Sequence, residues 1–184
     1  MHCRSEGIIR PATGRDADVI ARLHARSWRA TYRGLLSDAF LDRDVDEERH
    51  RTWRDRFDTL TPDAFGAFIA EDESGAIGFA ALLLHSPPTR VLLDNLHVVP
   101  DRQRCGIGQR LMAVAARWTL DAAPGGPLYL WVLEANTGAR QFYHALGGTE
   151  CGIEAQQMPD GSTLVAVRCQ WDEPRVLLDG VEGK

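Results

Sequence analysis

The stretch from Val91 to Leu133 constrains the fold most, because it reads as a strand, a turn, a helix and a second strand with short connections. The apolar run Val91–Val99 predicts a strand that Pro100 ends. Apolar positions with helical spacing follow at Ile107, Leu111, Val114, Ala115 and Trp118. A second apolar run, Leu128–Leu133, predicts another strand. Strands joined in this way form a right-handed crossover and lie parallel in one sheet.

The remaining apolar runs predict antiparallel strands. Turn sequences at Asp72–Gly75 and Pro159–Ser162 each separate two such runs, and Ser86–Thr89 must be a loop. The predicted strands are Ile8–Ala12, Phe65–Glu71, Ala76–His85, Glu150–Met158 and Thr163–Trp171. Further helices are predicted after a capping box at Thr13, over Asp46–Phe57, and after an N-cap at Asn136.

This order of elements predicts an α/β (α+β) fold. Its sheet is mixed and mostly antiparallel, with six to seven strands, helices on both faces and one parallel β-α-β crossover. A chain of 184 residues with 44% hydrophobic content can bury one substantial core. We therefore expect a single domain over residues 1–171, followed by a flexible tail over residues 172–184.

Charge and hydropathy exclude several classes of protein. A net charge of −5 and a pI near 5.7 disfavour a nucleic-acid-binding domain, which usually carries a basic excess. No apolar run is long enough for a membrane span, and Met1–Gly7 lacks the apolar core of a signal peptide. We therefore expect a cytoplasmic protein without a membrane or nucleic-acid partner.

The sequence also lacks the signatures of metal and nucleophile sites. Its cysteines, at positions 3, 105, 151 and 169, are far apart and form none of the close pairs of zinc or redox sites, so reduced thiols are expected. No HExxH, GxSxG or GxxxxGK[ST] pattern is present. No metal is predicted.

The turn Gln103–Gly108 has the properties of an anion site. It lies where a strand ends and a helix begins, so several N–H groups have no partner within the helix, and the helix dipole adds positive charge. Gly106 and Gly108 allow close approach of a phosphate, and positive charge comes from Arg102, Arg104 and Arg110. The same glycines could serve only a tight turn. A dinucleotide fold is disfavoured, because Leu111 replaces its third glycine and no acidic residue follows near Leu128.

Two motifs at the expected separation resemble the GNAT superfamily of N-acetyltransferases. The segment Val99–Leu111 resembles the family's Q/R-x-x-G-x-G/A motif, which Gln103, Gly106 and Gly108 match directly. The segment Leu130–Gly147 resembles a second motif, in which an Asn precedes a helix that carries Phe-Tyr. The resemblance covers roughly residues 8–171. Two positions depart from it: Gly148 replaces a usual aromatic residue, and Cys105 occupies a position that is more often basic or small.

The resemblance implies acetyl-CoA as the acetyl-donor cosubstrate. The strand before the turn would separate from its parallel neighbour and pair with the pantetheine arm through the backbone of Leu96 and Val98, and the N–H of Val98 would polarise the thioester. Asn136 would hydrogen-bond the same arm, besides capping its helix. The residues expected to bind the coenzyme are Leu96, His97, Val98, Gln103, Arg104, Cys105, Gly106, Ile107, Gly108, Gln109, Arg110, Asn136, Ala139, Phe142 and Tyr143.

Catalytic roles follow from the same resemblance. Tyr143 would protonate the leaving thiolate, although it could instead be a core aromatic beside Phe142. Asp94 is the leading candidate for the general base and His97 the alternative. Strand alternation puts these two side chains on opposite faces unless a bulge intervenes. Asp94 could equally bind the ammonium group of the acceptor, or be structural.

The resemblance assigns acceptor selection to the first two helices and the loop between strands six and seven, which indicates Trp28, Tyr32 and Glu71. The two aromatics could instead simply pack the helix onto the sheet. The predicted activity is acetyl transfer to a primary amine, in a small molecule or a peptide, by direct attack in a ternary complex. The alternative is an inactive acyl-CoA-binding sensor or regulatory module. A homodimer is suggested by resemblance only.

Overall fold

Seven strands form one sheet in the part of the chain that the computed structural model describes, residues 7–85 and 89–179. They are β1 (Ile8–Pro11), β2 (Phe65–Asp72), β3 (Gly75–Leu84), β4 (Val91–Val98), β5 (Leu128–Leu133), β6 (Thr149–Gln157) and β7 (Thr163–Trp171). The sheet order is β1-β2-β3-β4-β5-β7-β6, and β4 and β5 are its parallel pair. The predicted mixed, mostly antiparallel sheet with one crossover is confirmed.

Helices cover both faces of this sheet. They are α1 (Ala17–Thr31), α2 (Val45–Thr59), α3 (Ile107–Ala122), α4 (Thr137–Ala145) and a short α5 (Val176–Asp179). On one face, α1 and α2 bury Ile20 and Trp53 against Phe79 of β3. On the other, α3 buries Leu111 and Met112 against the central strands. The crossover between β4 and β5 thus brings the start of α3 to the middle of the sheet.

Local signals placed α1 correctly. The capping box between Thr13 and Asp16 is present and closes a 3-10 turn at Gly14–Asp16, directly before α1. His24, Trp28 and Tyr32 line up as their spacing of four predicts, with ring centroids 5.1 and 5.5 Å apart. A π-helical turn at Phe40–Asp44, which no local sequence signal predicts, leads into α2.

Three expectations about other parts of the chain are revised or fall outside the described residues. Residues 172–179 are not a simple tail, because α5 forms there and Leu177 is only 4% exposed against the core. Cys151 and Cys169 are free thiols, as expected, but Cys105 is disulfide-bonded. Residues 1–6, 86–88 and 180–184 lie outside the described part, and they include most of the loop predicted before β4.

Over the described residues, no helix has the length and apolar character needed to cross a membrane.

Candidate active site

A cleft opens where β4 and β5 separate. The two strands pair only through Val91–Leu128 and Leu92–Tyr129. Beyond these pairs a cavity of about 690 Å³ lies between them, a size typical of small-molecule sites. Its walls come from α1, β4, β5, α4 and the turn before α3. The separation of the parallel strands therefore creates the site.

The backbone of β4 presents polar groups to this cleft. The N–H of Val99 donates to the carbonyl of Ile77 in β3, at 2.9 Å. Since backbone groups alternate in direction along a strand, the N–H and C=O groups of Val98 and Leu96 point away from β3 and towards the cleft. The side-chain amide of Gln103 donates to the carbonyl of Val98, at 3.2 Å. The motif glutamine thus ties the turn to the strand.

The turn before α3 exposes the helix N-terminus to the same cleft. Arg104 and Gly106 adopt left-handed conformations, with φ of 60° and 79°. The first helical hydrogen bond runs from the N–H of Arg110 to the carbonyl of Gly106, so the N–H groups of Ile107 and Gly108 have no acceptor within the helix. Such a terminus carries partial positive charge and favours anions.

Gly108 allows α4 to pack against this terminus. A Cβ at Gly108 would lie 3.2 Å from Cζ of Phe142, which is closer than carbon atoms normally pack. The glycine is therefore needed for the close approach of the Phe142 ring as well as for an open helix end. The two motifs identified in the sequence meet at this contact.

The three arginines near the turn have different roles. Arg102 pairs with Asp72 at 2.9 Å, and Arg110 donates to the carbonyl of Gly7 at 2.6 Å. Only Arg104 of the three lines the cleft. Three other residues predicted for the coenzyme site do not line the cleft: Cys105, Ile107 and Arg110. Ile107 belongs to the core, and Arg110 is tied to Gly7.

Tyr143 forms part of the cleft wall opposite β4. Its side chain is 7% exposed, and its ring packs edge-on against Trp171 with centroids 6.0 Å apart. Burial raises the pKa of the Tyr143 hydroxyl above its ordinary value, so the group is protonated at neutral pH and can donate. Tyr143 thus serves the core and the cleft at once.

Trp171 also explains the glycine that replaces the usual aromatic residue. A Cβ at Gly148 would lie 2.7 Å from Cζ2 of Trp171 and 2.5 Å from Sγ of Cys169. The indole therefore occupies the space that a side chain at this position would need. Trp171 is held there by its N–H, which donates to the carbonyl of Leu146 at 2.9 Å.

Asn136 begins α4 and lines the cleft. Its Oδ1 accepts from the N–H of Ala139 at 3.2 Å, which confirms the predicted N-cap. This bond uses the carbonyl side of the amide. The Asn136 side chain can therefore cap the helix and still present its amide N–H₂ to a ligand in the cleft.

A β-bulge puts both base candidates on one side of the sheet. Ala81 pairs with Asn95 and Leu82 with Leu93, so Asp94 is an extra residue in β4. Asp94 contacts α2 and His97 contacts α1, and these helices cover the same face. The expectation of opposite faces, which simple alternation gives, does not apply because of this bulge.

Asp94 lies at the cleft but its charge is already paired. Its Oδ2 is 2.5 Å from Nη2 of Arg56 and also accepts from the side-chain amide of Asn95. The Arg56 guanidinium in turn lies over the ring of Trp53. A carboxylate held in this way is well oriented.

His97 is packed between aromatic rings and bonded to α1. Its Nδ1 lies 2.7 Å from Oγ of Ser27, and its ring contacts those of Phe79 and His24. Burial, with a smaller effect of the Arg49 charge, lowers the pKa of His97 to about 4. The imidazole is therefore neutral at pH 7. Ser27 was not predicted as a site residue, since its only sequence signal is its position on the α1 face.

The three residues predicted to select the acceptor lie in three different environments. Tyr32 lines the cleft. Trp28 instead packs in a core cluster, with the Arg49 guanidinium 4.2 Å from its ring centre. Glu71 does not line the cleft, because Arg10 holds its carboxylate at 2.8 and 2.9 Å. Thr31 and Trp131 line it as well and were not predicted.

Known proteins share both this fold and this sequence pattern. The model of the Acetyltransferase (GNAT) family matches residues 22–147. The chain is 31% identical to the probable N-acetyltransferase Rv2775 of Mycobacterium tuberculosis, over 73% of this chain and 75% of that protein. It is 29% identical to the uncharacterized N-acetyltransferase YuaI of Bacillus subtilis, over 70% and 72% of the two chains.

A solved structure gives the same fold. The crystal structure of the PaiA N-acetyltransferase from Thermoplasma acidophilum, in complex with coenzyme A, matches with a TM-score of 0.66. The two chains are 20% identical, and the match covers 91% of this chain and 100% of that one. The chain therefore belongs to the GNAT family of acetyltransferases.

Proposed function

We propose that this chain transfers the acetyl group of acetyl-CoA to a primary amine by direct attack in a ternary complex. One observation carries the proposal: the α3 N-terminus, β4 and Tyr143 all border a single cavity of about 690 Å³. These are the groups needed to bind a phosphate, a peptide-like arm and a leaving thiolate.

The donor half of the cleft fits coenzyme A. The N–H groups at the start of α3 would bind the pyrophosphate, and Arg104 would add positive charge. The amides of the pantetheine arm would pair with the backbone of Leu96 and Val98, as an added strand does. Asn136 would hydrogen-bond the arm from the opposite wall.

Two protein groups would act on the thioester. The N–H of Val98 would polarise the thioester carbonyl and stabilise the negative charge that develops on its oxygen. The Tyr143 hydroxyl would give its proton to the departing sulfur. Burial keeps the tyrosine protonated at neutral pH, so a proton is available for the sulfur, and the tyrosinate that forms would regain a proton from water.

The acceptor half lies between α1 and β5, where Tyr32 and Trp131 provide aromatic surface. A primary amine with a pKa of about 10.4 costs roughly 4 to 5 kcal/mol to deprotonate at pH 7. Asp94, already paired with Arg56, would hold the amine in place. The amine would attack after it has lost this first proton to water, and His97 would accept a second proton once the forming C–N bond has made the nitrogen acidic.

Calorimetry with coenzyme A and thiol release from acetyl-CoA, measured with a panel of amines and peptides, test the proposal. We expect binding, and release with at least one acceptor. Tyr143→Phe should lower kcat about 10- to 100-fold while coenzyme affinity stays within about threefold. Tyr129→Phe is the matched control, because its hydroxyl bonds His85 at 2.7 Å outside the cleft, and it should retain activity.

Each failure has a distinct meaning. Absence of coenzyme binding would refute the whole assignment. Binding without thiol release for any acceptor would refute the transferase and leave the acyl-CoA-binding sensor. Equal kcat values for the wild type and Tyr143→Phe would refute the role of Tyr143 as proton donor and leave the proposed acetyl transfer in place.

A further inference from the structure

Ser27 and His97 lie between two cavities. Both line the main cleft, and both also line a second cavity of about 10 Å³, which has room for roughly one water. The small cavity is bordered by Arg26 and Pro100, which are exposed at the protein surface. The pair therefore lies on a short route from the acceptor half of the cleft to bulk solvent.

The bond between the two side chains is suited to proton transfer. Nδ1 of His97 and Oγ of Ser27 are 2.7 Å apart. A neutral imidazole has one donor and one acceptor nitrogen, and a hydroxyl can donate and accept at the same time. With Nδ1 bonded to Ser27, Nε2 is the ring nitrogen left for a substrate.

The charged groups around His97 favour a neutral ring. Arg49 of α2 and the ring of His24 of α1 approach His97, and the carboxylate of Asp94 on the same strand is paired with Arg56. Their net effect opposes accumulation of a proton on the imidazole. A proton accepted at one nitrogen must therefore be passed on from the other.

His24 cannot take this proton, although its ring centre is only 4.7 Å from that of His97. Its Nδ1 accepts from the indole N–H of Trp53 at 3.1 Å, so the proton of the neutral ring is on Nε2. That Nε2 is fully buried without a partner among the described residues. The exit from His97 therefore runs through Ser27.

Building on the function proposed above, we propose that Ser27 is a positioning and relay residue for acetyl transfer. The acceptor nitrogen gives one proton to Nε2 of His97, and Nδ1 passes its proton to Oγ of Ser27. The hydroxyl releases its own proton to water in the small cavity. In this step the neutral, attacking amine loses one proton and bulk water gains one. Exchange with water restores the starting tautomer between turnovers.

Substitution at Ser27 tests the relay. Ser27→Ala should lower kcat about tenfold or more, with KM for both substrates within about threefold. Ser27→Thr retains the hydroxyl and should recover at least a third of the wild-type kcat. Thr31→Val removes another cleft hydroxyl, one helical turn further along α1, and should leave the tautomer of His97 as it is in the wild type.

Nitrogen NMR of His97 gives a readout that does not depend on turnover. We expect a single tautomer in the wild type and in Ser27→Thr, and a mixture in Ser27→Ala. Equal kcat for Ser27→Ala and Ser27→Thr, with the same tautomer in both, would overturn the relay in an active enzyme. A wild type that releases no thiol with any acceptor would overturn the proposed function and the relay with it.

Discussion

Acidification should destabilise this protein in a pH window that His97 helps to set. Burial lowers the pKa of His97 from 6.5 to about 4, so the unfolded chain binds more protons than the native protein between these values. Stability therefore rises with pH through the window, is complete above about pH 6.5, and is lost as the pH falls towards 4. Burial also lowers the pKa of His24, so this residue changes stability with pH in the same direction.

The expected loss is large relative to the stability of a typical domain. One pKa unit corresponds to about 1.36 kcal/mol, so His97 alone should cost about 2 to 3 kcal/mol by pH 4.5. The carboxylates contribute to the pH dependence at lower pH than His97. The pKa values of Asp16 and Asp72 fall from 3.8 to about 2 through their hydrogen bonds, so their contribution is present above 3.8 and lost below it.

Urea unfolding at several pH values between 7.5 and 4.5 measures this loss. His97→Gln removes the titrating group. Between pH 7.5 and 4.5, the free energy of unfolding of this variant should therefore decrease by a smaller amount than that of the wild type, and the difference should be about 2 to 3 kcal/mol. Phe79→Leu is the control, because Phe79 packs 5.2 Å from His97 but does not titrate. It should lower stability by a similar amount at every pH. Parallel curves for the wild type and His97→Gln would refute the reasoning.

Two further predictions concern glycines. Gly106 has a φ of 79°, so Gly106→Ala should cost about 1 to 2 kcal/mol of stability and weaken coenzyme A binding, while Gly106→Asn should cost less, as urea unfolding and calorimetry would show. Equal effects of Ala and Asn would contradict this. Gly148→Ala should cost about 1 to 3 kcal/mol, because its Cβ would overlap Cys169 and Trp171, and an unchanged melting temperature would show that the indole can move.

The sequence by itself determined the order of elements and the position of the anion-binding turn. Apolar spacing identifies β4, α3 and β5, and short connections allow only one hand for the crossover. Gly106 and Gly108 lie at the helix start whatever the rest of the fold does. These features depend on residues that are close together in the chain, so the spacing of those residues in the sequence is enough to predict them.

Only the tertiary structure decided how the polar residues are paired. The bulge at Asp94 depends on the register between β3 and β4. Arg56, which pairs with the Asp94 carboxylate, comes from α2. Ser27 meets His97 across 70 positions of the chain. Arg10 takes Glu71 away from the predicted acceptor site in the same way. Such contacts form only once distant elements pack together, and no local pattern encodes them, because the same side chains suit many partners.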